Sequence, residues 1–513
     1  MLSSWAIFLY FSFRFFYTLN SKFQSEVGKP MISPWKKQLP SNSLSDISIN
    51  MIKALPPELS PTTMLTPFPG GRKHGCDLSD GRWVRDAGGG GTAYTNETCK
   101  WLPESKKCGK YGKKGGYVGW RWQPKVCELP RFVASEFFDI VKGRKLAFVG
   151  DSVARNQADS LVCLLSQMDT PKSFHKDDED RFPVWYFESH DFTLMVFWTR
   201  FLIEGTERII NGSGSGVFDL YLDKIDKEWT KKLTFIDYAV ISTGHWFFRK
   251  IYLHEGGKLI GCIYCSEKNI SNIDVPFGLQ KALKTALNFL NENKEYKDIF
   301  TLLRTFSPAH FENGTWHGGG YCNRTRPFDE GEVNLIGTYW EIHNLQVEEM
   351  NSIKAVGKRR NRGFELLDIT KAMMMRPDAH PDTHWNNQWM RGYSDCVHWC
   401  MPGAVDMWND ILLTLLKKYR LQIDSTNADK EAVADSSIFC LFKALLDFVE
   451  KESLGCKRSS LSPVSSITRA DPQQQGPLPF PPLPLTGEED PRQGGEGSKG
   501  SRTPAGTRKV RAR

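Results

Sequence analysis

The stretch Lys145-Leu-Ala-Phe-Val-Gly-Asp-Ser-Val-Ala-Arg-Asn-Gln-Ala-Asp-Ser-Leu-Val-Cys-Leu-Leu165 joins an apolar run to a helical pattern at a single serine. Leu146, Ala147, Phe148 and Val149 read as a buried strand, while Ala154, Ala158, Leu161, Val162 and Leu165 share one helical face. Gly150 permits the tight turn between them. A serine that opens a helix is surrounded by unpaired backbone N–H groups, which suit the stabilisation of an oxyanion. Ser152 is therefore the candidate nucleophile. The competing reading is an ordinary turn or helix cap, since Gly-Asp-Ser serves both.

A nucleophilic serine needs a base, and the base needs an orienting carboxylate. Asp395-Cys-Val-His398 offers both within one turn. Just beyond it, Val405, Trp408, Leu412 and Leu415 predict a buried helix over residues 404–416. The three-residue spacing brings both side chains to one side of the backbone, so Asp395 would fix the tautomer of His398 while Nε2 faces Ser152. Asp378 and His380, in Arg-Pro-Asp-Ala-His-Pro, compete for the same roles from a proline-flanked loop.

Phe-Val-Gly-Asp-Ser-Val-Ala-Arg-Asn-Gln, followed far downstream by Asp-Cys-Val-His-Trp-Cys-Met-Pro-Gly, resembles the plant trichome-birefringence-like family of polysaccharide O-acetyltransferases. Cys76-Asp-Leu-Ser-Asp-Gly-Arg-Trp83, Tyr94-Thr-Asn-Glu-Thr-Cys99, Trp120-Arg-Trp-Gln-Pro124 and Cys127-Glu-Leu-Pro-Arg131 are similar to its N-terminal pattern. The resemblance runs from about Cys76 to about Tyr419. It implies a catalytic triad of Ser152, His398 and Asp395, in agreement with the chemical reading. It also implies the disulfides Cys76–Cys127, Cys99–Cys163, Cys108–Cys400 and Cys322–Cys396. Cys262-Ile-Tyr-Cys265 resembles a feature of the subgroup acetylating xyloglucan or mannan. A local disulfide is the preferred reading there, with a redox pair or half a zinc site as alternatives.

A chain of 513 residues, 40% hydrophobic, holds ample material for one large domain or two smaller ones. Its net charge of +8 is spread over 67 basic and 59 acidic residues, which does not indicate a nucleic-acid surface and suits a neutral glycan. Cys76, Cys99, Cys108 and Cys127 lie in a Gly-rich segment with little apolar periodicity, which favours disulfides over zinc. Sequons at Asn96, Asn211, Asn269, Asn313 and Asn323 are consistent with a lumenal route.

Trp5 to Leu19 is apolar but interrupted by Arg14 and shorter than the ~20 residues of a usual membrane helix. It reads as a marginal anchor or a signal-like segment. The resemblance implies a single-pass Golgi anchor with the catalytic domain in the lumen. The expected organisation is an anchor-like segment over 1–23, a Ser- and Pro-rich stem over 24–70, a catalytic domain over 71–422 and a low-complexity tail over 423–513. Within the tail, residues 438–446 could form a short amphipathic helix.

From Lys145 onward strands alternate with helices. Residues 192–198, 235–241, 299–303 and 364–369 read as strands, and 279–290 as a helix. This predicts an α/β fold with a mainly parallel sheet flanked by helices, similar to Gly-Asp-Ser esterases, and with a disulfide-rich N-terminal lobe. Ligand chemistry belongs at the carboxyl ends of such strands, where Ser152 sits. Gly244, in Ser242-Thr-Gly-His-Trp, is the candidate second oxyanion donor, a plain turn being the alternative. His245, Trp246, Arg304, His310 and Trp316 are candidate sugar contacts at the same edge, packing of the loops being the competing account.

The expected reaction is acetyl transfer to a hemicellulose hydroxyl through an acetyl-serine. Resemblance ranks xyloglucan ahead of mannan and xylan. No bound cofactor or metal is expected, but an acetyl donor is required, acetyl-CoA or another carrier. An acetylesterase using water as acceptor and a non-catalytic glycan-binding protein are the alternative classes.

Overall fold

The computed structural model describes residues 76–86, 92–175, 181–296, 299–316, 318–359, 362–386 and 392–425. The expected anchor, the stem, the 438–446 helix and nearly all of the expected tail lie outside these residues. Among the described residues no helix is long and apolar enough to cross a membrane.

A two-stranded antiparallel ribbon, β1 (Gly81–Arg85) and β2 (Trp120–Pro124), belongs to the N-terminal lobe. The central sheet has seven strands: β3 (Lys145–Gly150), β4 (Lys172–His175), β5 (Val184–Phe187), β6 (Phe192–Trp198), β9 (Tyr238–Ser242), β12 (Phe300–Arg304) and β13 (Phe364–Leu367). Their order is β13-β12-β9-β3-β6-β5-β4. The run from β13 to β6 is parallel, and β5 and β4 add on antiparallel at one edge.

Alternation of side chains along these strands divides the core in two. On β3, Leu146 and Phe148 face one side, with α1 (Ala134–Val141), α2 (Ser152–Leu165) and α5 (406–425). Ala147 and Val149 face the other, with α3 (Val275–Glu292) and α4 (Thr338–Arg359). Central parallel strands are therefore buried on both faces, which is why their sequences read as unbroken apolar runs. The helical stripes anticipated after Ser152 and before Leu416 are both buried.

Two strands differ from expectation by more than one residue at an end. The 235–241 strand begins at Tyr238, because a 3₁₀ turn over Leu233–Phe235 exposes Phe235 and Asp237 binds Arg144 and the Lys145 N–H. The 364–369 strand stops at Leu367, where the Asp368 carboxylate accepts the Thr305 hydroxyl. A second sheet was not anticipated: β7 (Ile203–Ile210), β8 (Ser213–Ile225), β10 (Ile251–Glu255) and β11 (Lys258–Ile263), in the order β11-β10-β8-β7. Its Gly- and Ser-rich hairpin at 211–216 masks the strand period.

The structure joins Cys76–Cys127, Cys99–Cys163, Cys108–Cys400, Cys322–Cys396 and Cys262–Cys265. Cys99–Cys163 ties the N-terminal lobe to α2, and Cys108–Cys400 ties it to the segment that follows His398. Replacing Cys108 and Cys400 together by serine should lower unfolding free energy by about 2–5 kcal/mol, because the bridge restricts a long loop in the unfolded chain. Chemical denaturation of the double variant checks this, and non-reducing peptide mapping of the wild type should recover all five pairs.

Candidate active site

Ser152 opens α2 directly after the end of β3. Asp151 caps the helix by accepting the Val153 N–H at 2.9 Å. Gly150 has to be glycine here: a Cβ would lie 2.1 Å from the Ser242 carbonyl oxygen of the adjacent strand. The backbones of β3 and β9 thus approach closely where the serine emerges.

His398 Nε2 lies 2.8 Å from Ser152 Oγ. Its Nδ1 lies 3.0 and 2.9 Å from the two Asp395 oxygens, so Nδ1 carries the proton donated to the carboxylate and Nε2 is left as acceptor for the serine. Asp395 Oδ1 also accepts the N–H groups of Val397 and His398. Asp395 is fully buried. Burial alone would raise its pKa, but the charges and hydrogen bonds of His398 and Lys106 hold the carboxyl well below the usual carboxylate range. Burial likewise depresses the His398 pKa, against the opposing pull of Asp395 and with a further push down from Lys106.

Lys106 was not anticipated. Its Nζ lies 3.2 Å from Asp395 Oδ2, with the lysine almost fully buried, and its carbonyl accepts the Met401 N–H. It comes from the N-terminal lobe, in a lysine-rich stretch with no local pattern to single it out. The only pointer was the implied Cys108–Cys400 pairing, which brings residues 106 and 395 close. Asn156, one turn after Ser152, was also missed. Its Oδ1 accepts the Trp399 N–H at 2.8 Å, while the Trp399 indole donates to Ser307 Oγ at 2.7 Å. The residue after the histidine is therefore pinned to the serine helix and to the loop after β12.

The rival pair is placed elsewhere. Asp378 accepts a bidentate contact from the buried Arg376. His380 Nδ1 lies 2.7 Å from the His398 carbonyl oxygen, behind the site. His380 Nε2 meets His310 Nδ1 at 2.7 Å, and His310 Nε2 meets the Met374 carbonyl at 3.1 Å. Burial lowers His310 to about 4 and His380 well below its ordinary value. Both ends of this chain are carbonyl acceptors, so with both rings neutral one of its three contacts lacks a proton.

Gly244 begins the turn after β9 at φ 149°, and a Cβ there would lie 2.5 Å from the Phe306 ring. The N–H groups of Ser152 and Gly244 have no acceptor among the described residues. Of the expected sugar contacts, Trp316 stands edge-on to the His398 ring at 6.4 Å between centroids, with Trp385 6.1 Å further on. Trp246 is half-buried against Trp198 and Phe218 at the sheet edge. The remaining three side chains are engaged within the protein. Arg304 is only 2% exposed, and its guanidinium lies over Trp408 and donates to the Thr305 carbonyl. His310 spends both ring nitrogens in the interior chain just described. His245 stacks on Phe306, meets the Ser307 carbonyl at 2.8 Å and stands 3.6 Å from Asp151, beneath the serine turn. These side chains build the floor of the site, because a buried polar group must find partners inside the protein.

Residues 129–415 match the family described as the GDSL/SGNH-like acyl-esterase family found in Pmr5 and Cas1p, and residues 74–128 match the PMR5 N-terminal domain. The chain is 54% identical over 345 residues to xyloglucan O-acetyltransferase 3 of Populus trichocarpa, covering 67% of this chain and 86% of that protein. It is 47% identical over 348 residues to xyloglucan O-acetyltransferase 2 of Arabidopsis thaliana, covering 67% and 83%. It is 40% identical over 357 residues to trichome birefringence-like protein 20 of the same plant, covering 68% and 73%. The resemblance carried by the Gly-Asp-Ser and Asp-Cys-Val-His segments thus extends through both lobes, and the chain belongs to the GDSL/SGNH-like acyl-esterase family found in Pmr5 and Cas1p.

Proposed function

We propose that this chain transfers an acetyl group to a hydroxyl of xyloglucan, through an acetyl-Ser152 intermediate. The observation that carries the mechanism is the continuous contact from Asp395 through His398 to Ser152 Oγ. The substrate class rests on what the similar proteins are named for. In the first half-reaction Ser152 Oγ attacks the acetyl carbonyl while His398 Nε2 takes its proton. The N–H groups of Ser152 and Gly244 receive the oxyanion. The donor carrier, acetyl-CoA or another acetyl carrier, leaves with the proton returned by His398. In the second half-reaction a sugar hydroxyl attacks, His398 takes its proton, and that proton returns to Ser152 Oγ as the acetyl–serine bond breaks. No step calls on a metal. Trp316, with Trp385 behind it, offers the acceptor sugar an aromatic wall beside the base.

The same reading places the protein in the secretory pathway, held at the Golgi membrane by the 1–23 segment with the catalytic domain in the lumen. Five disulfides support an oxidising compartment, and Asn211, Asn269, Asn313 and Asn323 are exposed for glycosylation.

Ser152→Ala and His398→Ala should each reduce kcat by about three orders of magnitude or more with the fold intact, and Asp395→Ala somewhat less. Single-turnover assays with an acetyl donor and xyloglucan oligosaccharide check this; near-normal turnover in Ser152→Ala would refute the mechanism.

The acid limb of the rate profile reports His398, which must be neutral to accept the serine proton. Burial places that limb below the ordinary histidine value of 6.5. Lys106 disfavours the imidazolium, so Lys106→Met should move the limb to higher pH, and Lys106→Arg should largely restore it. Asp395 and His245 also act on the imidazole and are unchanged in these variants. A lysine with only a structural role would lower the melting temperature and leave the limb in place.

An acetylesterase would use the same triad, and the family's name gives that alternative its weight. A bound hydroxyl has an effective concentration on the order of 10⁵ M or more in well-oriented systems, far above bulk water. Acetyl-oligosaccharide should therefore exceed free acetate at saturating xyloglucan. Dominance of free acetate with every hemicellulose tried would establish the esterase instead.

A further inference from the structure

A cavity of about 380 Å³ lies where the N-terminal lobe meets α2 and α5, away from the serine. Leu164 forms part of its wall, twelve residues along α2 from Ser152, which at 1.5 Å per residue is roughly 18 Å. Trp83, Trp120 and Phe132 supply aromatic surface. Two polar groups on the wall are unspent. Asp410, 8% exposed, uses Oδ1 to accept the Phe132 N–H at 2.8 Å, while its Oδ2 has no partner among the described residues. The guanidinium of Arg121, half-buried on β2, makes no hydrogen bond among the described residues, although its charge acts on Asp410. Burial pushes the Asp410 carboxyl up to about 7, against the opposing pull of the Phe132 N–H, Arg131 and Arg121.

The lining contains three guanidinium groups, Arg121, Arg131 and Arg376, and three carboxyls, Asp86, Asp406 and Asp410. Such a balance does not select an anion or a cation. A free acceptor, a free donor and aromatic walls match a neutral polyhydroxylated ligand. The volume falls at the small end of the roughly 300–1,000 Å³ of ligand sites, and suits a short piece of a longer chain.

We propose that this cavity is a distal subsite that holds a sugar residue of the acceptor polysaccharide while another residue of the same chain is presented to Ser152. The proposal rests on the polysaccharide reading above. Engaging one chain at two points raises the effective concentration of the second contact, which favours polymer over fragments too short to span the gap.

Three variants of the full-length chain test it: Trp120→Ala, Asp410→Asn and Arg121→Ala. With soluble xyloglucan the KM should rise about fivefold to tenfold, as for loss of one polar or stacking contact, with kcat held. A disaccharide acceptor, too short to span the roughly 18 Å to Ser152, should keep its wild-type KM. Polymer affinity measured calorimetrically in a Ser152→Ala background should fall by the same factor, and this arm reads binding even if acetyl transfer is not the activity. The proposal is overturned if variants with wild-type melting keep polymer KM and affinity within about twofold, or if polymer and disaccharide are affected equally.

Discussion

Everything at this site depends on one buried carboxylate. Asp395 is removed from water, and an isolated charge there would cost several kcal/mol. Its charge is retained because donors converge on it: two backbone N–H groups of its own turn, the His398 imidazole and the Lys106 ammonium. The three-residue spacing of Asp395 and His398 supplies all of these but the last. The carboxylate therefore fixes both the tautomer and the tilt of His398, and leaves Nε2 free for Ser152. Breaking such a pair by removing one partner leaves the other charge uncompensated, which is why the geometry is sensitive to everything that carries Lys106 and Asp395.

The serine side is fixed by backbone contact instead of charge. Gly150 ends β3 and Gly244 begins the turn after the neighbouring β9, at positions where a Cβ would collide with the Ser242 carbonyl and the Phe306 ring. Those close approaches bring the two candidate oxyanion donors to the same sheet edge. Asn156 and Trp399 then connect the serine helix to the histidine segment, so the two halves of the site cannot drift apart independently. Catalytic hydrogen bonds need this rigidity, since small displacements of the base are expensive in rate.

Much of this was legible in the sequence. The strand-turn-helix around Ser152 was legible because a parallel central strand is apolar throughout and the helix after it is amphipathic, two signals that differ in period. Asp395 and His398 were legible because their spacing alone puts them together. The second sheet was not, because glycines and serines in the β7–β8 hairpin blur the alternation. The cysteine partners came from family resemblance, since cysteine positions do not determine connectivity. Arg304, His310 and His245 read as candidate sugar contacts because polar residues at strand ends look alike whether they face solvent or the interior. Burial is a tertiary property, and no local pattern separates the two.

The N-terminal lobe shows how a boundary in sequence can fail to be a boundary in function. Residues 74–128 match a family of their own, separate from the esterase-like remainder. Yet Lys106 reaches Asp395, Cys108 is bonded to Cys400, and the lobe walls the cavity beside α2. A buried lysine is stable in its charged form only while the carboxylate stays within a few ångströms, because desolvation pulls its pKa down and the ion pair pulls it up. The Cys108–Cys400 bridge, two residues from Lys106 and two from His398, holds that separation with covalent bonds. The lobe is in this sense part of the candidate site, acting through charge on the histidine from behind.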